Sequence, residues 1–502
     1  MTSTDFSSSA CCNEIKQMLT SGEFEAAKSK IDAYLQEHPD NSYCLFLLGR
    51  YYDLQHSYDL SVETYTKSIN SDNSNPKCYQ NKSTAFFNLN KVNEALTTIN
   101  EGISIHSGVT SLYTVKAILL NQLEKYDEAI AILNKGIAIN KNDSALYFNK
   151  GVSYFKLKNF NEALKCYNMC LNLNPNHFHA LNNKGLTLKK LKQLDKALEC
   201  FDKAMTLNDK DPGTYYNKAI IFMIKKQIQT AIDILTKAIE LNPKYTMAYY
   251  QRGLCLSTID KYNDAILDFS KAIELNPQHY KAYCQKGICH DMMGEYDVAI
   301  NENFNKSIEI NAEYAETYFQ KGISYYNKND YETAIENYKL AISKNNKFVS
   351  PHHNIGVCLY KLEQYEKAIE YYDLTIQMDK MYLDAYVNKG VCLKLLKKYD
   401  EAINEYDKAI KINDKYPMAY YNKGLTYFEM NKYDEALVQF DKAIELNGDY
   451  LAAIFNKGSL LMDIKRYEEA KEMFEKYLML NPGDDEAKKQ LELINEQLKK
   501  KK

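Results

Sequence analysis

A short phrase returns along this chain every 34 residues, and that interval decides most of what the chain can become. The phrase is three variable residues, typically aromatic-Asn-Lys, closed by a glycine anchor. It ends at Gly151, Gly185, Gly253, Gly287, Gly322, Gly390, Gly424 and Gly458, with weaker copies at Gly49, Ser83, Ala117, Ala219 and Gly356. One interval differs: Gly287 and Gly322 lie 35 apart. Twelve residues after the anchor comes an alanine in a Tyr-Asp-Glu-Ala-like context, as at Ala129, Ala163, Ala265 and Ala402. A second small residue often follows seven positions later (Ala204, Ala238, Ala443), and a Leu-Asn-Pro phrase closes several copies at Pro175, Pro243, Pro277 and Pro482. A fixed period of this length marks an architecture of stacked supersecondary units, none of which buries its apolar face alone.

The units read as helix pairs. Small residues at a crossing let two helix axes approach, and large ones such as Tyr420, Tyr427 and Phe440 fill the space beside them. All nine prolines fall at unit boundaries. Pro39, Pro175, Pro243, Pro277 and Pro482 sit in turns, while Pro76, Pro212, Pro351 and Pro417 sit in the first turn of a helix, where a missing N–H costs nothing. Residues 1–7 are expected to be disordered, and residues 485–502 to form a polar-faced capping helix whose Ala487, Leu491, Leu493, Ile494 and Leu498 share one face.

Period and signature residues together resemble the tetratricopeptide repeat (TPR). The resemblance covers residues 8–484 as fourteen units, the first imperfect and the one at 280–314 carrying a one-residue insertion. It implies an all-α solenoid, a right-handed superhelix whose first helices line a concave face. The extra residue falls between Ala299 and Ser307, where an insertion predicts a π-bulge or a kink, and with it a hinge or merely a tolerated local bulge near 287–310. In the same unit His290 takes a core place that other units give to Tyr, Phe or Leu.

The position two before the anchor carries a primary amide in twelve of the fourteen units. Besides Asn13 these are Asn81, Asn149, Asn183, Asn217, Gln251, Gln285, Gln320, Asn354, Asn388, Asn422 and Asn456. An amide both donates and accepts, so a row of them can grip the backbone of an extended peptide whatever its sequence. This looks like the asparagine ladder in the repeat superhelix of O-linked GlcNAc transferases. The competing reading is an exposed polar position copied by duplication. Phe148, Tyr216, Tyr250, Phe319, Tyr421 and Phe455 flank the amides, either as apolar contacts for a ligand or as packing against the neighbouring unit. The residue before the anchor is usually Lys (Lys82, Lys218, Lys389, Lys423, Lys457), which reads as a snorkelling side chain with a packed stem or as a basic stripe.

Several functions are set aside. The formal net charge is −3, so no basic face for nucleic acid is expected. No apolar run reaches the length of a membrane span, and the N-terminus has no secretory pattern. The twelve cysteines form no CxxC pair and read as reduced thiols of a cytoplasmic protein, with Cys255, Cys289, Cys358 and Cys392 recurring as small packing residues. No phosphate loop, GxSxG or HExxH occurs, so neither a catalytic residue nor a cofactor nor a metal is expected. The carboxylate clamp by which some relatives of this repeat bind chaperones needs an Asn just after the anchor. Here that place holds Arg50, Thr84, Ile118, Val152 and similar residues, so no clamp-type chaperone binding is expected. What is left is a non-enzymatic scaffold that binds extended protein segments on its concave face. The alternative is a structural subunit of a larger assembly, of ciliary-transport, ciliary-coat or cell-cycle-ligase type. A weaker third reading is a regulatory subunit for a separate glycosyltransferase.

Overall fold

The computed structural model describes residues 3–500, with side chains from residue 10 to residue 499. Among the described residues every regular element is a helix, and no strand occurs. Helices alternate between a first kind of 13 residues, such as Ser144–Lys156, and a second kind of 14, such as Phe160–Leu173. First helices open at Ser42, Pro76, Thr110, Ser144, Phe178 and Pro212, and again at Thr246, Tyr280, Ala315, Val349, Leu383, Pro417 and Leu451. The chain forms two compact bodies, Met1–Tyr245 and Thr246–Lys502. Each is a solenoid of stacked helix pairs. No described helix is long and apolar enough to cross a membrane.

Local chemistry starts and stops these helices. The residue before a first helix is often a side-chain cap: Asn41 accepts from the Cys44 N–H, Asp143 from Ala145 and Asp211 from Thr214. Second helices mostly end on an Asn in extended conformation, and its Oδ1 accepts from the N–H two residues on. Asn140 and Asn142 are 3.0 Å apart in this way, and Asn242 and Lys244 likewise 3.0 Å. The Asn of the closing Leu-Asn-Pro phrase is therefore an Asx-turn residue. Between the two helices of a pair the chain takes a left-handed step seven residues after the anchor. Glu124, Lys158, Lys192, Lys226 and Lys397 hold φ near +60° there, and Gly22 and Gly294 occupy the same place at +86° and +80°.

The core repeats one contact. Each anchor glycine lies under the aromatic ring of the residue sixteen positions later in the second helix, or seventeen later for Gly287, whose repeat carries the insertion. A Cβ on Gly151 would lie 2.6 Å from Tyr167, one on Gly185 2.7 Å from Phe201, and one on Gly390 2.5 Å from Tyr406. Where the anchor is larger the partner is smaller: Ser83 faces Ile99, Ala117 faces Leu133, and Ala219 faces Leu235, all six fully buried. Ala129, Ala163, Ala265 and Ala402 are likewise fully buried, as are Cys289, Cys358 and Cys392, with Cys255 nearly so. All twelve cysteines are free. Among the described residues no cluster of metal-ligating side chains exists.

The one-residue insertion is absorbed as a π-turn over Ala299–Phe304, inside a second helix that runs from Tyr296 to Ile310. Phe304 sits under Gly287 as Phe269 sits under Gly253, so the core contact is regained within the turn. Asn303 is buried, and its Nδ2 donates to the Val298 carbonyl at 2.9 Å. That carbonyl is one the wider turn would otherwise leave poorly met. Asn303→Ala is expected to cost about 1–3 kcal/mol, because a buried acceptor loses its donor. Chemical denaturation of the full chain measures it, and an unchanged midpoint would count against this role. His290 lies half-buried at the helix end rather than in the core, with Nδ1 2.6 Å from Glu295.

The terminal helix Asp485–Lys500 buries Ala487 and Ile494 against Phe474 and Tyr477, with Leu491 and Leu498 beside them. Leu493 departs from the expected face: it is 46 % exposed, because one step from Ile494 turns it about 100° away. At the other end the first helix spans Ser3–Ser21, so residues 3–7, expected to be disordered, carry helical backbone. Residues 1 and 2 lie outside the described residues.

Candidate functional site

The amide positions all fall in first helices, two residues before the anchor, and most are half-buried. Their neighbours follow from the residue sixteen positions earlier, in the preceding second helix. Where that residue is Tyr the amide is always Asn. Asn81 Nδ2 donates to Tyr65 Oη at 3.0 Å, and Asn354 Nδ2 lies 3.5 Å from Tyr338 Oη. Asn183 hydrogen-bonds the Tyr167 hydroxyl, which burial pushes well above the ordinary phenol range. Gln251, Gln285 and Gln320 follow Leu235, Phe269 and Phe304, which offer no hydroxyl.

Other amides reach elsewhere. Asn388 Nδ2 donates to His353 Nε2 at 3.1 Å, and Asn456 Nδ2 to Tyr421 Oη at 3.1 Å, each linking one first helix to the previous one. Asn422 and Asn456 also bond the carbonyls of Met418 and Ala452 in their own helices, both at 2.8 Å. Gln320 bonds Glu316 at 2.7 Å. Asn149 departs from a row of open amides: it is buried, with Nδ2 on the Ala145 carbonyl at 2.9 Å. The N–H side of the row is thus largely engaged inside the protein. Asn217, Gln251 and Gln285 are half-buried at the matching positions.

The flanking aromatics pack within their own pairs. Phe148 stacks on His177 at 4.8 Å, Tyr216 lies 5.4 Å from Tyr245, and Tyr250 4.8 Å from His279. Phe319 lies 4.9 Å from Phe348, Tyr421 5.1 Å from Tyr450, and Phe455 5.3 Å from Tyr477. All but Phe455 bridge the first helix to the residue closing the same pair, and Phe455 meets Tyr477 within the second helix.

Four of the lysines before the anchor, Lys218, Lys389, Lys423 and Lys457, pair with an acid of the preceding second helix. Lys218 reaches Asp202 at 2.5 Å, Lys389 reaches Asp373 at 2.7 Å and Lys423 reaches Asp407 at 2.6 Å. Burial holds Lys82, Lys116 and Lys321 below the usual lysine range. The paired lysines make packed stems whose charge is met by an acid, and the buried stems of Lys82, Lys116 and Lys321 pack without one. Each partner is the Asp that follows the second-helix aromatic, as in Phe201-Asp202 and Tyr406-Asp407.

Two hollows open on the first-helix face of the body 246–502. One, of about 280 Å³, is lined by Ile323, Tyr326, Tyr338, Asn354 and Val357. The next, of about 320 Å³, shares Val357 and adds Tyr372, Asn388, Val391, Met418 and Asn422. Both are mainly apolar floors with amides at the side. The aliphatic residue just after the anchor (Ile323, Val357, Val391) supplies much of that floor. The sequence reading used this position only to exclude a clamp.

The tetratricopeptide repeat family matches at residues 110–143, 144–177, 179–211, 212–245, 247–279, 269–300, 349–380, 417–450 and 451–484. A further TPR repeat description matches at 322–363 and 393–431. No curated protein matches the chain. Among solved structures it is similar to the APC/C hetero-tetramer Cut9-Hcn1, at 17 % identity over 90 % of this chain and 96 % of that one, with a TM-score of 0.42. Yeast Tom70 is 18 % identical over 84 % and 96 %, with a TM-score of 0.41. YrrB, described as a TPR protein with an unusual peptide-binding site, is 26 % identical over 38 % of this chain and 97 % of its own, with a TM-score of 0.32.

Proposed function

This chain belongs to the tetratricopeptide repeat family, and from that premise we propose that it is a non-catalytic scaffold that holds an extended segment of a partner protein on its first-helix face. The observation that carries the reading is the pair of linked hollows over Ile323–Asn422, with apolar floors and the amides of Asn354, Asn388 and Asn422 beside them. Packed helices lie about 8–10 Å apart and an extended chain rises about 3.3 Å per residue, so each repeat meets roughly three residues of ligand. Every third side chain would enter a hollow. The amide oxygens would accept its backbone N–H groups, since the amide N–H groups are largely taken.

A peptide-display selection with the full chain supplies binders. Their affinity is then measured on wild type and on the Asn388→Ala/Asn422→Ala variant, whose fold is checked by circular dichroism. The variant is expected to lose about tenfold, two hydrogen bonds at about 0.5–1.5 kcal/mol each. The internal bonds of Asn388 and Asn456 favour a second reading, a structural subunit whose amides tie repeats together. Unchanged peptide affinity together with a lowered melting temperature would establish that reading instead.

A further inference from the structure

A hollow on the body 1–245 has a different chemistry. It measures about 620 Å³ and lies over the first three first helices. Lys16 of Ser3–Ser21, Arg50 of Ser42–Leu54 and Lys77 of Pro76–Asn88 line it, with the exposed ring of Tyr43 and the amide of Asn81 between them. Lys16 and Arg50 occupy the place just after the anchor, which becomes Thr84, Ile118, Val152 and Leu186 in the repeats that follow. At this position charge is therefore confined to the first two repeats, although Lys361 lines the second of the hollows in the body 246–502.

None of the three cations has a carboxylate within ion-pair distance among the described residues, although the Arg50 charge acts on the Asp53 carboxyl and offsets part of the rise that burial gives it. This sets them apart from Lys218, Lys389 and Lys423, each of which ends on an acid. The carboxylates nearby are committed elsewhere. Asp53 accepts from Ser61 and from Tyr65 Oη, the latter at 2.6 Å. Asp72 lines the hollow but accepts from the Ser74 N–H at 2.9 Å and from its Oγ at 2.7 Å. The amide donors are used too: Asn81 on Tyr65, and Gln80 on Ser111. The three cations share the hollow with the hydroxyls of Ser42 and Tyr43 and the amide of Asn75.

From these observations we propose that the hollow formed by Lys16, Arg50 and Lys77 binds an extended acidic segment of a partner protein, its Asp or Glu side chains meeting the three cations in turn. The cations come from three successive first helices, about 8–10 Å apart each, too far for one small anion to span. Lys16 and Arg50, both just after the anchor, match carboxylates three residues apart on an extended chain, and Lys77, about two turns nearer the start of its helix, meets a further carboxylate from the side. The Arg50 fork takes a carboxylate by two parallel hydrogen bonds, and the lysines add point charge at the rim. The proposal deepens the segment-binding reading by fixing partner charge, and it uses none of the residues of the hollows at 323–422.

The test is fluorescence anisotropy of the full chain with a labelled peptide of about nine residues, about 30 Å when extended. It carries Glu at every third position and blocked termini. Binding is expected at low salt and should weaken as salt rises. Arg50→Leu, the residue that Leu186 and Leu254 place at the matching position, should weaken it about tenfold, as loss of a charge-assisted bidentate contact predicts. Arg50→Gln repeats the measurement should the Leu variant lose its helical spectrum. Lys16→Ala and Lys77→Ala should each cost about two- to fivefold, whereas Lys192→Ala, on an exposed turn, and Asn388→Ala/Asn422→Ala should change nothing. Equal affinity for the Gln-for-Glu peptide, an unchanged Arg50 variant, an equal loss from Lys192→Ala, or binding of tripolyphosphate but not of the peptide would each overturn it. Failure of the amide variant alone would instead count against the hollows at 323–422.

Discussion

Gly253→Ala is expected to destabilise the body 246–502 by about 2 kcal/mol, and Phe269→Leu in the same chain to recover much of that loss. The added Cβ would lie 2.7 Å from the Phe269 ring, closer than carbon atoms pack. Phe269 is fully buried, so its ring cannot swing into solvent and the two helices must part. Overpacking of this kind costs about 1–3 kcal/mol. Phe269→Leu alone should also cost about 1–2 kcal/mol through the space it leaves. Together they reproduce a pairing this chain already uses, Ala219 over Leu235 and Ala117 over Leu133. The double variant should therefore be more stable than the sum of the single effects by about 1–2 kcal/mol, as expected of residues in contact. Urea unfolding of the four proteins measures the coupling, read at the transition of the 246–502 body because a repeat array need not unfold in one step. Additive losses would show that the glycine serves the backbone rather than the ring.

That pairing also shows how far the sequence could be read. Anchor spacing alone gives the repeat length, the helix pairs and the buried small residues, because a period of 34 leaves few ways to stack. The size rule between an anchor and the residue sixteen later was present too, in the joint departures at Ser83/Ile99, Ala117/Leu133 and Ala219/Leu235. It becomes visible only once the crossing point is known. The insertion between Ala299 and Ser307 was evident from the 35-residue interval, whereas the use of Asn303 to satisfy the Val298 carbonyl needed coordinates.

The candidate site was read less well for a physical reason. A sequence tells that Asn388 or Asn456 sits on a first helix, but not that His353 or Tyr421 of the previous repeat stands within hydrogen-bond reach. Side-chain partners across repeats depend on the offset between neighbours, which periodicity leaves open. The lysines before the anchor illustrate the same gap, because their acids lie sixteen residues back on another helix. Arg50 was read only as the absence of an Asn. Its place at a hollow beside Lys16 and Lys77, on which the proposed role rests, is a property of three helices together.

Arg252→Met is expected to be among the costliest single changes in the chain, at about 3–5 kcal/mol. Arg252 stands where most repeats place Lys, and its partner lies in its own repeat rather than the preceding one. Its Nε and Nη2 donate to the two oxygens of Asp268 at 2.8 and 2.7 Å, a two-bond fork that a lysine cannot copy. The Asp268 side chain is only 7 % exposed, against 53 % for Asp373, the acid that meets Lys389. Removing the guanidinium leaves a buried carboxylate without its counter-charge, and breaking such a pair costs about 3–5 kcal/mol. Arg252→Lys should retain the charge but lose the fork, and so fall between wild type and Arg252→Met. Replacing both partners, as Arg252→Met/Asp268→Leu, should restore stability to near wild type, because two desolvated charges are exchanged for apolar packing of similar volume. Denaturation midpoints of the three variants decide it. A double variant as unstable as Arg252→Met alone would mean that the fork fixes how the helices of this repeat meet, a role that apolar side chains cannot take over.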